Sequence, residues 1–238
     1  ESLNLSFDRG DNPEHVRENF RRIGDAIGVS CEDMVMAKQT HTTNVRLVTE
    51  EDRGKGVIRE RDYTDVDGLI TNIPGICLVT SYADCVPLYF VDPVHHAIGL
   101  SHSGWRGTVG KIGKHTVEMM KEAFGSRPED LLAAVGPSVC MDCYEVSEDV
   151  IDQFKEVFDE SLWKELFYRK ENGKYQLSLW KANEFIFRES GILPEHMAIT
   201  NVCTHCNSKM LYSHRTMGNE RGNLCAFLAL KQSVKIIE

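Results

Sequence analysis

Short apolar runs recur along the chain and predict strands. Runs rich in β-branched and aromatic residues occur at 34–37, 45–48, 68–71, 77–82, 87–91, 97–102, 131–135, 197–202 and 224–230. Asp92-Pro93 lies between two of these runs and predicts a tight turn, so residues 87–102 are expected to form a hairpin. Many of the connections are too short for helical crossovers, which predicts mixed sheets rather than purely parallel ones.

Helical spacing of apolar residues predicts helices between these strands. The first begins at Asn12-Pro13, carries Val16 and Phe20 on one face, and ends at Gly28. The remaining helices are predicted at 108–124, 147–158 and 179–190.

The segment between residues 50 and 65 is charged and contains glycine, so we interpret it as a solvated loop. The chain has no internal repeat and no convincing linker. The interspersed strands and helices therefore predict a single domain over 1–238, of the α/β or α+β class.

Composition and charge narrow the possible functions. The 238 residues are 42% hydrophobic, enough for a buried core, and no apolar run is long enough to span a membrane. The formal charge of -9, without a long basic cluster, argues against nucleic acid as a partner. A small anion held by one or two arginines remains compatible with this charge.

The chain contains eight cysteines, and its first residues do not resemble a secretion signal. In a chain of this length, this combination favours reduced thiols or metal ligands over disulfides. We therefore expect a cytoplasmic protein.

A candidate metal site combines one thiol and two imidazoles. Cys85 and His102 are expected at neighbouring strand ends of the predicted hairpin, and His41 is the candidate third ligand. Catalytic zinc typically has three such protein ligands and one open position. Asp84 is expected to orient one of the ligands. The alternative is that Cys85 is a core thiol and the histidines are ordinary polar residues.

Two C-x-x-C pairs form a rival metal site. Cys140 and Cys143 make the first pair, and Cys203 and Cys206 make the second. The spacing is that of structural zinc, but the pairs lie much further apart than in a zinc ribbon and lack a turn glycine. Reduced thiols near the rim of an active site are the preferred interpretation.

Arg106 is the candidate anion ligand. It lies between Trp105 and Gly107, close to the predicted metal ligand His102 and just ahead of a predicted helix. The alternative is a surface arginine stacked on Trp105.

Further polar groups admit both a functional and a structural interpretation. Tyr144-Glu145 offers a hydroxyl and a carboxylate but also fits a plain strand. Ser213-His-Arg215 offers polar groups to a pocket but also fits an exposed loop. Asp67-Gly68 is interpreted as a turn.

Several motifs together resemble the YfiH family, also called the laccase-domain or multicopper polyphenol oxidase family. They are Gln39-Thr-His41, Asp67-Gly-Leu-Ile-Thr71, Ala83-Asp-Cys-Val-Pro87, Asp92-Pro93, His102-Ser-Gly-Trp-Arg-Gly107, Gly136-Pro-Ser138, Tyr144-Glu-Val146 and Tyr212-Ser-His-Arg215. The chain departs from the family pattern at Thr42, where many members have glycine, and at Ser103, where many have alanine.

The resemblance implies a layered α/β sandwich with mixed sheets and a metal triad of His41, Cys85 and His102. It further implies a zinc-dependent enzyme that phosphorolyses adenosine, inosine, guanosine and methylthioadenosine and also deaminates adenosine. The expected partners are thus purine nucleosides and inorganic phosphate, and a monomer is favoured. The family usually has a further segment before Ser2, which this sequence does not include.

A bound nucleoside needs hydrogen-bonding partners that the metal triad does not supply. Arg106 is predicted to hold phosphate through its planar fork, with Arg215 as a second candidate. Ser138, Tyr144, Glu145 and Arg215 are predicted to line the nucleoside site, because their segments offer polar groups at strand ends and turns. These segments are accordingly expected to converge near the triad.

Two other functions stay open at this point. Two histidines and one cysteine are also the equatorial set of a blue-copper site, so a copper polyphenol oxidase is the main alternative. A multicopper oxidase needs a cluster of imidazoles, whereas the nine histidines here form no H-x-H pair. The other alternative is a non-enzymatic zinc module held by the C-x-x-C cysteines.

Overall fold

The strands of the computed structural model, which describes residues 3–231, form three sheets. They are β1 (Met34–Met36), β2 (Val45–Leu47), β3 (Gly68–Thr71), β4 (Cys77–Tyr82), β5 (Val86–Asp92), β6 (Ala97–Ser103), β7 (Leu132–Val135), β8 (Glu145–Val146), β9 (Phe167–Arg169), β10 (Tyr175–Leu177), β11 (Met197–Ile199) and β12 (Leu224–Ala229). The ends of the predicted domain, residues 1–2 and 232–238, lie outside the described residues.

The largest sheet has six strands in the order β11-β7-β5-β6-β3-β2. Its central strands pair antiparallel, whereas β11 and β2 join its edges in parallel. The second sheet, β1-β4-β12, also combines one parallel and one antiparallel pairing. The predicted mixed sheets are therefore confirmed.

The helices lie between and beside these strands. They are α1 (Pro13–Ile27), α2 (Trp105–Val109), α3 (Ile112–Phe124), α4 (Glu148–Val157), α5 (Trp163–Leu166), α6 (Leu179–Glu189) and α7 (His214–Met217). The first has the predicted ends, because Asn12 accepts a hydrogen bond from the Glu14 N–H and Gly28 adopts a left-handed conformation at φ 73°. No helix within residues 3–231 is long and apolar enough to cross a membrane.

The core is layered. One apolar cluster, which includes Leu88, Phe90 and Phe187, lies between the six-stranded sheet and the helices α3, α4 and α6. A second lies between the six-stranded sheet and the β1-β4-β12 sheet. A third packs α1 through Phe20 against the outer face of that smaller sheet. This arrangement confirms the predicted layered α/β class.

The helix predicted from residue 108 to 124 is two helices. Lys111 has a φ of 56°, so the chain leaves the helical conformation between α2 and α3. The first helix also begins earlier than predicted, at Trp105, with Gly104 as its N-cap. The prediction was wrong here because a left-handed lysine gives no composition signal.

The segment 50–65 is not simply solvated. Asp52 is 1% exposed and Lys55 is 7% exposed, and their side chains are hydrogen bonded at 2.8 Å. Burial would raise the pKa of Asp52, but the hydrogen bonds from Lys55, the Thr49 N–H and Arg46 lower it to about 2. These contacts of Asp52 fix part of the segment against the protein. The charge pattern alone did not distinguish the segment from an exposed loop.

The third sheet, β8-β10-β9, was not predicted as a sheet. Its strands are two or three residues long, too short for an alternating pattern to stand out. The strand interpretation of Glu145 is confirmed by β8.

Candidate metal centre and the adjoining cavity

The β5–β6 hairpin brings the first two candidate ligands together. Its register pairs Val86 with Ser103 and Pro87 with His102. Cys85 directly precedes β5, so its thiol lies beside the imidazole of His102 at the same end of the hairpin. The sequence prediction of neighbouring strand ends is therefore confirmed.

His41 reaches the same place from the loop between β1 and β2. Its φ of 66° is left-handed, which is uncommon for a residue with a Cβ. The carboxylate of Asp67 accepts hydrogen bonds from the backbone N–H groups of Thr40, His41 and Thr42 at 3.0, 3.0 and 2.9 Å. These three bonds hold the loop in a conformation that presents the His41 ring to Cys85.

Asp67 also orients the second imidazole. Its carboxylate contacts Nδ1 of His102 at 2.8 Å, and the carboxylate is fully buried. Burial would raise the pKa of Asp67, but the hydrogen bonds from His102 and the backbone lower it below its ordinary value. Nε2 of His102 is consequently left for another partner. Asp67-Gly68 was predicted to be a turn, which is wrong, because Gly68 begins β3 and Asp67 organises the site.

The geometry of His41, Cys85 and His102 fits a metal ion. One potential ligand atom from each lies within 4.8 Å of the others, and Nε2 of His41 is 3.9 Å from Sγ of Cys85. A tetrahedral zinc ion with ordinary bond lengths would separate such a nitrogen and sulfur by about 3.6 Å. A small approach of the His41 and Cys85 side chains brings this pair to that distance, and three ligands leave a position for water or substrate.

The electrostatics also suit a thiolate ligand. Burial would raise the pKa of the Cys85 thiol, but the adjacent imidazoles of His102 and His41 outweigh burial and lower it. A deprotonated sulfur is the form that binds soft and borderline metals. We call His41, Cys85 and His102 the triad from here on.

Gly104 closes one side of the triad. A Cβ atom on this residue would lie 2.9 Å from Cδ2 of His41 and 3.1 Å from Sγ of Cys85. We expect Gly104→Ala to displace these ligands and to weaken metal binding by about 10-fold or more, as disturbed ligand positioning does. Metal titration measures the effect, and Gly113→Ala, at a position in α3 where an added Cβ would make only ordinary contacts of 3.4 Å, is the comparison variant. Equal metal affinity in wild type and Gly104→Ala would contradict this placement.

Asp84 was expected to orient one of the metal ligands, but its hydrogen bonds go to other residues. Its carboxylate accepts hydrogen bonds from the Thr204 hydroxyl at 2.6 Å and from the Arg215 N–H at 2.7 Å. Its carbonyl accepts from the Val139 N–H at 3.0 Å. Asp84 thus attaches three distant segments to the turn that precedes Cys85, whereas Asp67 orients the His102 ring.

Parts of the predicted substrate segments lie at this turn. The Arg215 guanidinium stacks over the Tyr144 ring, 4.6 Å from its centroid. Burial raises the pKa of Tyr144, and the Cys85 charge raises it further, so its hydroxyl is protonated near the triad. Tyr144 and Arg215 therefore meet next to Asp84 and Cys85, and segment 136–138 adjoins the same turn through the bond of Val139 to Asp84.

Two of the predicted substrate residues use their side chains within the protein. The Ser138 hydroxyl is buried and accepts a hydrogen bond from the Trp180 indole at 2.6 Å. The Glu145 carboxylate is held by Lys170 and by Lys174, whose ammonium is 3.3 Å away. The structure does not bring either of these polar groups to the triad.

Arg106 is exposed and stacks on Trp105, with its guanidinium carbon 4.2 Å from the ring centroid. A surface arginine stacked on Trp105 is the alternative to anion binding that the sequence allowed. Arg106 forms no ion pair within residues 3–231, so its charge is exposed to solvent.

A cavity of about 320 Å³ adjoins the triad, a volume within the range of small-molecule pockets. Besides the triad, its lining includes four cationic side chains: Arg9, Lys38, Arg61 and Arg221. Nε of Arg221 is buried without a hydrogen-bond partner among the described residues, and burial together with the Arg9 charge lowers the pKa of Arg221. Sequence reasoning did not single out Arg9 or Arg221, and neither lies in a recognisable motif.

Among residues 3–231, two groups of potential metal ligands contain three or more members. One is the triad, and the other consists of Cys140, Cys143, Cys203 and Cys206. Neither is the cluster of imidazoles that a multicopper oxidase requires.

Comparison with known proteins gives the family. The family model described as multi-copper polyphenol oxidoreductase laccase matches residues 1–231. "Purine nucleoside phosphorylase YlmD" of Bacillus subtilis is 34% identical over 98% of this chain and 84% of its own length. "Adenosine deaminase RL5" of an unknown prokaryotic organism is 32% identical over 92% of this chain and 84% of its own length.

A solved structure supports the same assignment. The hypothetical protein YfiH of Bacillus licheniformis superposes with a TM-score of 0.93 at 33% identity, covering 97% of this chain and 86% of that protein. The expectation of an enzyme is confirmed by the curated relatives. The chain therefore belongs to the multi-copper polyphenol oxidoreductase laccase family, the family that the motifs resembled.

Proposed function

We propose that the chain is a zinc-dependent purine nucleoside phosphorylase that also deaminates adenosine. The observation that carries this proposal is the triad, which is oriented by Asp67 beside a cation-lined cavity. The names of the relatives support the substrate class, because one is called a purine nucleoside phosphorylase and another an adenosine deaminase.

The proposed substrates are adenosine, inosine, guanosine and methylthioadenosine, with inorganic phosphate as co-substrate. In phosphorolysis, phosphate oxygen forms a bond to the ribose C1′ while the bond from C1′ to the base breaks. The products are free base and ribose 1-phosphate. In deamination, water replaces the amino group of adenosine, giving inosine and ammonia.

Zinc is the proposed metal, held by Nε2 of His41, Sγ of Cys85 and Nε2 of His102. A mixed nitrogen and sulfur set suits zinc and disfavours calcium or magnesium. When bound, zinc supplies a water activated near neutral pH, which suits deamination. The role of Asp67 is to keep the proton of His102 on Nδ1, so that Nε2 retains its lone pair for a ligand.

The nucleoside site is proposed to lie between the triad and the segments attached to Asp84. The protonated Tyr144 hydroxyl offers a donor, and Arg215 offers charged donors stacked on the same ring. Ser138 and Glu145 are proposed to shape this wall through their positions, since their side chains bond to Trp180 and to lysines.

Arg106 is the proposed phosphate ligand, because its guanidinium is exposed, it follows Gly104 by two residues, and its planar fork matches phosphate oxygens. Arg9 and Arg221 support anion binding from the cavity, where two nearby like charges favour an intervening anion.

Arg106→Lys is expected to raise the KM for phosphate by about 10-fold, because a point charge cannot make two parallel hydrogen bonds. The KM for nucleoside should change much less. Steady-state kinetics with varied phosphate measures both constants, and Arg127→Lys, at an exposed arginine paired with Glu129 and Asp130, is the control. An unchanged phosphate KM in Arg106→Lys would remove this residue from the role.

Incubation with adenosine, with and without phosphate, tests the proposed function. Chromatography should reveal adenine and ribose 1-phosphate when phosphate is present, and inosine when it is absent. Formation of neither adenine nor inosine would contradict the proposal.

A copper polyphenol oxidase is the second candidate. Two histidines and a cysteine are the equatorial ligands of a blue-copper site, and the description of the family model names a multicopper enzyme. This candidate predicts copper in the purified protein, an intense visible thiolate-to-copper absorption and oxidation of phenols by dioxygen. A colourless zinc protein without phenol oxidation would exclude it.

A further inference from the structure

A second sulfur cluster lies apart from the ligands of the triad. The loop after β7 carries Cys140 and Cys143, and the loop after β11 carries Cys203 and Cys206. Their spacing along the chain does not show whether these pairs meet. In the structure, sulfur atoms from all four cysteines lie within 4.8 Å of one another.

We propose that Cys140, Cys143, Cys203 and Cys206 bind a structural zinc ion. A tetrahedral zinc ion with four thiolates places its sulfur atoms about 3.8 Å apart. Sγ of Cys143 and Sγ of Cys206 are 3.5 Å apart, and all four thiols are free. The site supplies four sulfur ligands, which fill tetrahedral coordination and leave no position for substrate, as structural zinc sites do.

Backbone hydrogen bonds around Cys203 support a metal-bound thiolate. The N–H groups of Cys140 and Cys206 donate to Sγ of Cys203 at 3.3 and 3.4 Å. Cys203 itself is buried, at 6% exposure, whereas Cys206 is exposed. One side of the cluster is therefore fixed in the protein, and the other is open to metal from solvent.

The two loops are already aligned for such a site. Ser138 donates its N–H to the Val202 carbonyl at 3.1 Å and accepts from the Thr204 N–H at 3.1 Å. This short parallel bridge continues the pairing of β7 with β11 and sets the two cysteine pairs side by side. A metal ion would then crosslink two loops that are far apart in sequence.

The same loops carry the wall of the candidate active site. Thr204, between Cys203 and Cys206, donates to the Asp84 carboxylate, and Val139, next to Cys140, donates to the Asp84 carbonyl. Asp84 immediately precedes the triad residue Cys85. The structural zinc thereby positions the turn that carries the Cys85 ligand without contacting substrate.

A redox role for the pairs fits the structure less well. A reactive C-x-x-C pair normally lies at the N-terminus of a helix, which lowers the pKa of its exposed thiol. Here Cys140 caps a three-residue 3₁₀ turn that ends at Cys143, and residues 204–206 lie in a turn that follows Cys203. All four sulfurs face a common centre, which is the requirement for a shared metal ion.

Metal analysis of the purified full chain tests the proposal. Wild type should contain about two zinc ions per chain, one at each site. Cys143→Ala and Cys85→Ala should each retain about one zinc ion, and the double variant should retain almost none. Cys143→Ala should also lower the Tm, whereas Cys85→Ala should leave it closer to wild type, because the triad is a functional rather than a structural crosslink.

Alkylation of the wild-type protein tests the proposal even where Cys143→Ala does not fold. Cys140, Cys143 and Cys206 should resist iodoacetamide in the zinc-loaded protein and react after chelation, as located by peptide mass spectrometry. Cys31, which is partly exposed and outside both groups, should react equally in both states.

Three results would overturn the proposal. They are equal alkylation of these cysteines with and without chelator, a disulfide between Cys143 and Cys206 in freshly purified protein, and iron with labile sulfide in place of zinc. None of these results bears on nucleoside turnover, so failure of the structural zinc site is distinguishable from failure of the proposed function.

Discussion

Replacing Cys85 by alanine is expected to remove the metal from the triad and to reduce nucleoside turnover below about 1% of wild type. Loss of a direct ligand should exceed the 10–100-fold effects that follow loss of a partner behind a ligand. The fold should persist, because Cys85 lies at the edge of the hairpin and its thiol faces the two imidazoles. Circular dichroism, metal analysis and the adenosine assay measure the three outcomes.

Cys77→Ala is the matched control for this variant. Cys77 is a buried thiol in β4, 1% exposed, and belongs to neither sulfur-containing group. The Cys77→Ala variant should be somewhat less stable than wild type, because packing is lost, but it should retain metal and turnover. Full metal content and full turnover in Cys85→Ala would show that the ligand assignment is wrong.

Asp67→Asn is expected to lower metal affinity at the triad, and turnover with it, by about 10–100-fold. The amide keeps the shape of the side chain but loses the charge and one of the two acceptor oxygens. Those oxygens bind the N–H groups of residues 40–42 and Nδ1 of His102, so both imidazoles lose their orientation together. Metal titration and kcat measure the change.

Asp92→Asn is the control for Asp67→Asn, because it alters a similar pair at the opposite end of the same hairpin. Asp92 is fully buried and contacts Nδ1 of His95 at 2.9 Å. This variant should lose stability yet keep metal affinity and kcat. If both aspartate variants lost metal equally, the effect would be one of folding and the positioning role of Asp67 would be refuted.

Much of the fold follows from local patterns in the sequence. The β5–β6 hairpin was predicted because two apolar runs flank Asp92-Pro93, and α1 was predicted because its caps and its apolar face agree. The break at Lys111 was not predicted, since a left-handed lysine is imposed by packing rather than by composition. The buried pair of Asp52 and Lys55 was missed for a related reason: burial of paired charges depends on tertiary contacts.

The candidate site was likewise predicted only in part. Its ligands were predicted because thiol and imidazole at strand ends are chemically distinctive, and the motifs supported them. The role of Asp67 was missed because its carboxylate acts on residues 40–42 and on His102, which are distant in sequence. The meeting of the two cysteine pairs depends on the parallel pairing of β7 with β11, which no local pattern encodes.

The central claim is that zinc at the triad supports purine nucleoside turnover. The most direct test removes metal from the purified protein with a chelator and measures release of base and ribose 1-phosphate from adenosine in phosphate buffer. We predict that turnover disappears in the metal-free protein and returns on addition of zinc in wild type but not in Cys85→Ala. Turnover that survives complete metal removal, or that returns with copper and not with zinc, would contradict the account.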